Sequence, residues 1–499
     1  MKKPVFSISF SRRSLAKETI LTSISTSTSI SISTSISTLT SILFLFSLTL
    51  FAQQTSIRDF DLKNYKAPDI KYRTLDLGTY LSTSGYSESA NDNDNNFNGN
   101  VVMDYFEYRN SKKIQSRSNA YFRGSYYSSW SKTDSVKTTS SNPKLLLSYA
   151  TETRFYNQNN AFFGIHGDIK YEYSPYFSKS EDETYNYQYQ EFLITPYISG
   201  GKGRIEPIES ARQAMDILLA IQKENRLSKT PDNSMIDSLA RVANLIRYKR
   251  FYDSRFKRIY QLEELDKSMQ NMDLVETADM VYFANLNDIW NFAPQFNRGT
   301  GIRYEGGVVP TLSTNYYYNE ETDSYQARKR DNKDYGIYGF FSFNRMKPVS
   351  YAWQSDILID FTFGYGVSDQ IWKNGEDVGE YYNSSLNGLL SAGWEFGFYP
   401  NTRTHVGIEP YISFSYDYNL EEKNKDVYGL NTGFRFNSYY YVSPRLRVQL
   451  TAGFAYLDNF NYDIPAPFWN RINYYDFNSS QIEKGIIYNF MFSFKYAIF

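Results

Sequence analysis

Through most of this chain apolar side chains fall on every second residue. The clearest run is 484–499, where Ile486, Tyr488, Phe490, Phe492, Phe494, Tyr496 and Ile498 share one face and Gly485, Asn489, Ser493, Lys495 and Ala497 share the other. A period of two sends successive side chains to opposite faces of an extended strand, so this stretch predicts a strand with an apolar face and a mixed one. Leu75, Leu77, Thr79 and Leu81 open the same pattern, which returns near 99–109, 115–130, 144–156, 161–173 and 187–199. In the fifth of these six, Phe163, Ile165, Ile169, Tyr171 and Tyr173 oppose His166, Asp168, Lys170 and Glu172. Alternation resumes after about residue 301 and predicts eight further strands, a total near fourteen. Tight turns at Ser111–Lys113, Asn157–Asn160, Lys347–Val349, Tyr399–Asn401 and Ser443–Pro444 alternate with longer polar connections at 86–98, 318–333, 367–383, 419–426 and 459–483.

Between these two sets the period changes. Ile208, Ala211, Met215, Leu218 and Leu219, then Ile236, Leu239, Val242, Ala243 and Ile246, then Phe256, Ile259 and Tyr260, then Ala278, Val281 and Ile289 recur at helical spacing. Pro207, Thr230-Pro231 and Asp253-Ser254 supply start signals. A helical insert of about four helices is therefore predicted, bounded by Gly200-Gly201-Lys202-Gly203 and Arg298-Gly299-Thr300-Gly301.

The closing strand resembles that of Gram-negative outer-membrane β-barrels, whose terminal aromatic residue belongs to the signal read by the barrel-assembly machinery. One detail departs from the common form of that signal: Phe499 lies out of register with the aromatic face. The resemblance implies an all-β transmembrane, antiparallel up-and-down barrel in the cell outer membrane, contacting outer-membrane lipid; the strand count makes it one of about 14 strands, and helical period with strand parity adds an inserted α-helical periplasmic subdomain. Composition agrees. Aromatic residues make up 18% of the chain while the mean hydropathy is -0.53, which excludes a bundle of apolar helices and suits strands whose two faces cancel in any average. The formal charge of -1 gives no electrostatic case for nucleic acid, and with no Cys the chain needs no oxidative staples.

Residues 1–52 are expected to be an export signal, from Lys2, Lys3, Arg12, Arg13 and Lys17, an apolar core at 42–51 and a cleavage point after Ala52. The remaining divisions are a polar periplasmic lead (53–71), a first barrel part (72–199), the helical insert (200–300) and a second barrel part (301–499). Strand parity puts both termini and the insert on the periplasmic side, and the insert's own apolar period suggests a unit separable from the barrel.

Alternation assigns Arg117, Arg123, Glu152, Arg154, His166, Asp168, Lys170, Glu172, Asp356, Asp360, Glu395, Glu409, Asp417, Arg435, Arg445, Arg447 and Lys495 to the inner face. Both signs are present, as in a water-filled pore with a transverse field or in a filled barrel sealed by ion pairs. On the insert, Lys249, Arg250, Arg255, Lys257 and Arg258 interleave with aromatics and form either a solvated face or a contact for a periplasmic protein. Asp92, Asp94 and Asn96 have calcium-loop spacing, but Phe97 and Met103 stand where that loop needs Gly and Glu. His166 and His405 have no nucleophile partner visible in sequence, so no enzymatic activity, cofactor or metal is expected. Two functions follow: a porin-like channel or transporter for small polar solutes, or a closed barrel that anchors or organises a periplasmic partner through the insert.

The face assignment is testable at the closing strand. Phe492→Arg or Phe494→Arg near the membrane midplane should cost about 2–4 kcal/mol, and Ser493→Arg on the other face should cost less. Unfolding in lipid vesicles measures both, and equal losses would overturn the assignment.

Overall fold

The computed structural model describes residues 57–89, 92–133, 136–180, 184–249, 253–276, 278–292, 298–319, 328–375, 377–421, 426–443, 446–459 and 484–496. The expected export signal, Arg250 and Arg445 lie outside these residues, as does the side chain of Lys495. Six strands come first: β1 (Ile70–Ser89), β2 (Asp92–Asn110), β3 (Ile114–Thr133), β4 (Val136–Tyr156), β5 (Ala161–Lys179) and β6 (Thr184–Pro207). Four helices follow: α1 (Glu209–Lys223), α2 (Asn233–Arg247), α3 (Ser254–Asn271) and α4 (Met280–Phe292). Then come β7 (Gly299–Asn319), β8 (Arg328–Pro348), β9 (Trp353–Asn374), β10 (Asp377–Phe398), β11 (Thr404–Asn419), β12 (Asp426–Tyr441), β13 (Leu446–Asp458) and β14 (Lys484–Tyr496). All fourteen form one sheet in sequence order, each strand antiparallel to the next. Among the described residues no ladder joins β1 to β14.

The strands are strongly tilted. The row of paired residues that starts at Ile70, the first residue of β1, runs through Asn110, Gln115, Arg154, Gly164 and Ser199. It continues through Gly307, Phe340, Thr362, Leu389 and Ser415 and reaches Gly429, close to the opposite end of β12. Such a stagger is what curling a sheet toward a barrel requires. One face is apolar and exposed throughout, with Leu77, Ile165, Ile337, Phe361, Phe414 and Phe434 among its members. The other face holds the buried polar groups.

Two expectations about connections are corrected. The polar stretches at 86–98 and 367–383 are largely strand: β1 and β2 stay paired through Tyr86↔Asp94, and β9 and β10 through Asn374↔Asp377. About 9–11 residues suffice to cross a bilayer, yet β6 has 24 and β10 has 22. A strand held by its ladder needs no apolar face, so hydrophobic patterning can go silent while the backbone pairing continues.

Of the three expected start signals only Asp253 is a cap: Pro207 ends β6, α1 begins after Ile208 without a side-chain cap, and α2 is capped by Asp232 rather than Thr230. Asp232 accepts a hydrogen bond from the Met235 amide at 2.9 Å, and Asp253 from the Arg255 amide at 2.9 Å, satisfying N–H groups with no partner inside the helix. Helix α1 is enclosed on nearly every side, including its polar residues Arg212, Gln213 and Asp216. Its core is not self-contained. Ile57, Leu62 and Tyr65 of the lead are buried with Met215, Leu218, Leu239, Leu265 and Tyr282, and Tyr351 from the β8–β9 turn packs against them. The lead, polar in its overall composition, thus supplies a buried edge to a core that the sequence suggests the helices could build alone.

Leu62→Ala should therefore loosen the helices, by about 2–5 kcal/mol as for other buried leucines. Faster proteolysis in 209–292, with the strands still protected, would show it. Unchanged cleavage would mean that the lead contributes nothing to the core.

Candidate functional site

An enclosed polar cluster lies on the inner face of β4–β7. Alternation directs Glu152 and Arg154 of β4, His166 of β5, Ser199 of β6, and Arg303 and Glu305 of β7 to one side, and the registers bring them together. Glu305 is the hub, with only 1% of its surface exposed. It accepts from Arg154 Nε at 3.0 Å and from Ser199 Oγ at 2.8 Å, meets Arg154 Nη2 at 2.9 Å and His166 Nε2 at 3.0 Å, and has Arg303 Nε at 3.5 Å. His166 stacks on Tyr197 with ring centres 4.4 Å apart. Gly164 makes room for this arrangement, since a Cβ there would collide with Ser199 Oγ and His166 Nε2.

Ser199 is a hydroxyl partner for His166, at 2.9 Å, that the sequence did not reveal. In a hydrolase triad the two imidazole nitrogens face the nucleophile and the carboxylate separately. Here Ser199 and Glu305 both meet Nε2, so the ring does not bridge them, and the group is an ionic lock between strands.

The other inner-face candidates fall into three settings. Arg117, Glu152, Arg154 and Asp168 line a cavity of about 790 Å³ together with Asp76 and Arg303; Arg123 shares the alternation of Arg117 further along β3. Lys170 donates to Glu191 at 2.8 Å and lies 3.4 Å from Glu172, which also meets Lys144 at 2.5 Å. Asp356, Glu395, Glu409 and Arg435 follow one another across β9–β12, with Glu395 opposite Asp356 and Glu409 opposite Arg435, 3.4 Å from its guanidinium. Asp360 is buried on the same face of β9, and Asp417 shares the alternation of Glu409 on β11. Arg447 donates to Gln449 at 3.0 Å and covers the Tyr439 ring. His405 is buried against Tyr399, ring centres 4.6 Å apart.

A second polar set joins the helices to the short turns. Arg298, in the link from α4 to β7, donates to the carbonyls of Tyr351 at 2.8 Å and of Ser350 and Trp353 at 3.2 Å each. Arg212 of α1 donates to the carbonyls of Tyr351 and Tyr399, the latter at 3.0 Å, pairs with Asp216 and lies over the Tyr351 ring. Arg403, in the β10–β11 turn, meets Asp288 of α4 at 2.7 Å. Arg204, near the end of β6, donates to Asn110 Oδ1 at 2.7 Å and to the Ser111 carbonyl at 2.8 Å. On the remaining side Tyr248 stacks on Tyr72 of β1 at 4.4 Å, while Phe292 meets Tyr441 of β12 edge-on. One helical unit thus touches the sheet from β1 to β12 at the end that bears the short turns. Burial pushes the Glu209 carboxyl at the head of α1 up to about 7, against the pull of nearby Arg247 and Arg298. Burial, with Arg212 alongside, lowers Arg298 to about 10.

The basic residues of the insert differ in their partners. Arg255 is exposed and bound to Asp253 at 2.7 Å, Arg258 turns to Asn291, Lys249 lies over the Tyr260 ring at 3.7 Å, and Lys257 is half-buried. Glu305, Arg303, Ser199, Arg212, Arg298 and Arg403 escaped the sequence reading. Alternation could have placed Arg303 and Glu305 on the inner face; the other roles depend on contacts between distant segments.

No protein-family model matches the chain, and no curated protein matches it in sequence. Among solved structures it is similar to the β domain of the Bordetella autotransporter Brka, at 6% identity over 72% of this chain and 92% of that one, with a TM-score of 0.24. It is also similar to the translocator domain of autotransporter NalP from Neisseria meningitidis (9% identity, 81% and 98% covered, TM-score 0.26). A third is the ferric yersiniabactin uptake receptor FyuA from Yersinia pestis (5%, 80% and 63%, TM-score 0.30). These are outer-membrane β-barrel proteins, the class that this chain resembles.

Removing the hub should expose the cost of its partners. Glu305→Ala leaves the buried Arg154 guanidinium without its main counter-ion and should destabilise the strands by about 3–5 kcal/mol. Glu305→Leu with Arg154→Met should recover much of that loss. Urea unfolding in detergent measures both, and a single variant as stable as the parent would remove Glu305 from its central place.

Proposed function

We propose that this chain is an outer-membrane β-barrel channel or transporter for small polar solutes, closed at its periplasmic mouth by the four-helix insert. The observation that carries this reading is the arginine clamp: Arg212, Arg298 and Arg403 bind the helices to the β8–β9 and β10–β11 turns while Tyr248 and Phe292 meet β1 and β12. Parity puts those turns in the periplasm. In this reading β1 pairs with β14 to close the sheet, lipid covers the apolar face, and the barrel-assembly machinery reads the aromatic strand at the end of the chain. The inner face offers both charge signs to water, which suits polar solutes over apolar ones. The insert gates because much of its hold on the rim is hydrogen bonds to turn carbonyls, which water can replace, against the packing of Tyr351 on the helical core that opening must also break.

Planar-bilayer conductance tests this. The parent should conduct weakly or in bursts, and Arg212→Ala with Arg298→Ala should raise the open fraction. Because the chain has no Cys, Asp288→Cys with Arg403→Cys can be joined by a cleavable thiol crosslinker, which should suppress conductance until it is cut. Silence in all three states, with the barrel inserted, would overturn the channel and leave the anchoring role, in which the insert docks a periplasmic protein.

A further inference from the structure

The corner between α2 and α3 has a surface that neither the helical core nor the clamp explains. Leu245 is 66% exposed, Phe256 63% and Ile259 53%. Around them Lys249, Arg255 and Lys257 reach the surface against the single carboxylate of Asp253, which pairs with Arg255, while Arg247 and Arg258 turn inward to Trp290 and Asn291. The stack of Tyr248 on Tyr72 fixes this corner at the foot of β1. A cavity of about 450 Å³ there is lined by Asp69, Ile70 and Lys71 on one side and Leu245, Lys249 and Tyr260 on the other. The exposed face of β1 continues the sequence of chemistry, with Lys71 and Arg73 near Glu107 at 3.8 and 3.0 Å, then Leu75 and Leu77 exposed above them. Going along β1 from its foot, a basic band therefore gives way to an apolar one, the order in which a membrane presents headgroups and then acyl chains.

We propose that this corner lies in the headgroup layer of the adjoining leaflet, with Leu245, Phe256 and Ile259 among the upper acyl chains and Lys249, Arg255 and Lys257 against anionic phospholipid. The inference rests on the membrane-barrel reading above. Apolar side chains provide the insertion and the cations choose the headgroup, as in interfacial helices. The net positive charge of the corner favours an anionic lipid surface over a neutral one, and although Tyr72 faces inward, the cavity that the corner shares with Lys71, on the outward alternation of β1, brings that surface within reach without moving the insert off the rim.

The full chain, carrying one Cys labelled with an environment-sensitive fluorophore, can be reconstituted with lipid-borne quenchers in phosphatidylcholine vesicles with or without phosphatidylglycerol. Label at Phe256→Cys should be quenched, and more strongly with phosphatidylglycerol; adding Arg255→Glu and Lys257→Glu should abolish that difference. Label at Lys267→Cys, exposed further along α3, should stay unquenched. If Phe256→Cys behaves like Lys267→Cys in both lipids, the corner does not meet the membrane. Equal quenching in the two lipids would overturn the anionic preference. Label at Phe490→Cys, on the apolar face of β14, separates the two readings: its quenching with none at Phe256 overturns this inference alone, and its absence overturns the membrane barrel as well.

Discussion

Everything in this fold depends on register. Because side chains alternate with a period of two, slipping any one strand by a single residue would move its charges to the apolar face and its aromatics to the interior. The ladders prevent this by pairing almost every residue of fourteen successive strands. Once the apolar set is committed outward, the polar set has no choice but to face inward, where it must find partners or water. Glu305 shows the consequence: a carboxylate withdrawn from solvent persists because Arg154, Ser199 and His166 converge on it from three neighbouring strands. The lock in turn holds those strands at the register that created it.

Strand number and position were legible because a period of two survives across long stretches, and the helices because 3.6-residue spacing differs so plainly from it. Strand length was not. The pairing of Tyr86 with Asp94 joins two polar segments, and in a polar segment nothing in the hydrophobic pattern separates strand from loop. The candidate site was legible by face and hidden in its contacts. Arg154 and His166 could be sent inward from sequence, but their meeting with Glu305 spans 151 and 139 residues of chain, a relation that only the strand order creates. The lead misled for another reason. Ile57, Leu62 and Tyr65 are too few and too far apart to announce a core of their own, and they become buried only where the helices supply the other side.

Turn carbonyls explain why arginine holds the insert. A tight turn leaves outward-pointing carbonyls with no ladder partner, and a guanidinium can serve several at once with its planar fork. Arg298 does this for Ser350 and Tyr351, and adds a donor to Trp353, whose carbonyl also accepts from the Val349 amide. A lysine would offer a single point of charge and lose that geometry. Arg212 adds a second hold on the same turn while its ring contact with Tyr351 fills the helical core. The β8–β9 turn is thus both rim and core, so a motion of the helices away from it must open a hydrophobic contact along with the hydrogen bonds.

The tilt of the sheet connects this end of the molecule to closure of the barrel. A row of residues that leaves the foot of β1 has climbed to the far end of β12, so a closed sheet cannot join β14 to β1 along that row. It must instead step down, bringing the last residues of β14 beside the first of β1. Those first residues, Ile70 and Lys71, border the cavity shared with the α2–α3 corner. The seam and the insert then meet at one place, where β1 carries its basic band and Tyr72 holds Tyr248. In the membrane barrel proposed above, an unpaired strand edge in hydrocarbon would be costly because no water satisfies its backbone, so the pairing that closes the seam would also fix the foot of β1. Through the Tyr72 stack, it would fix the end of α2 as well.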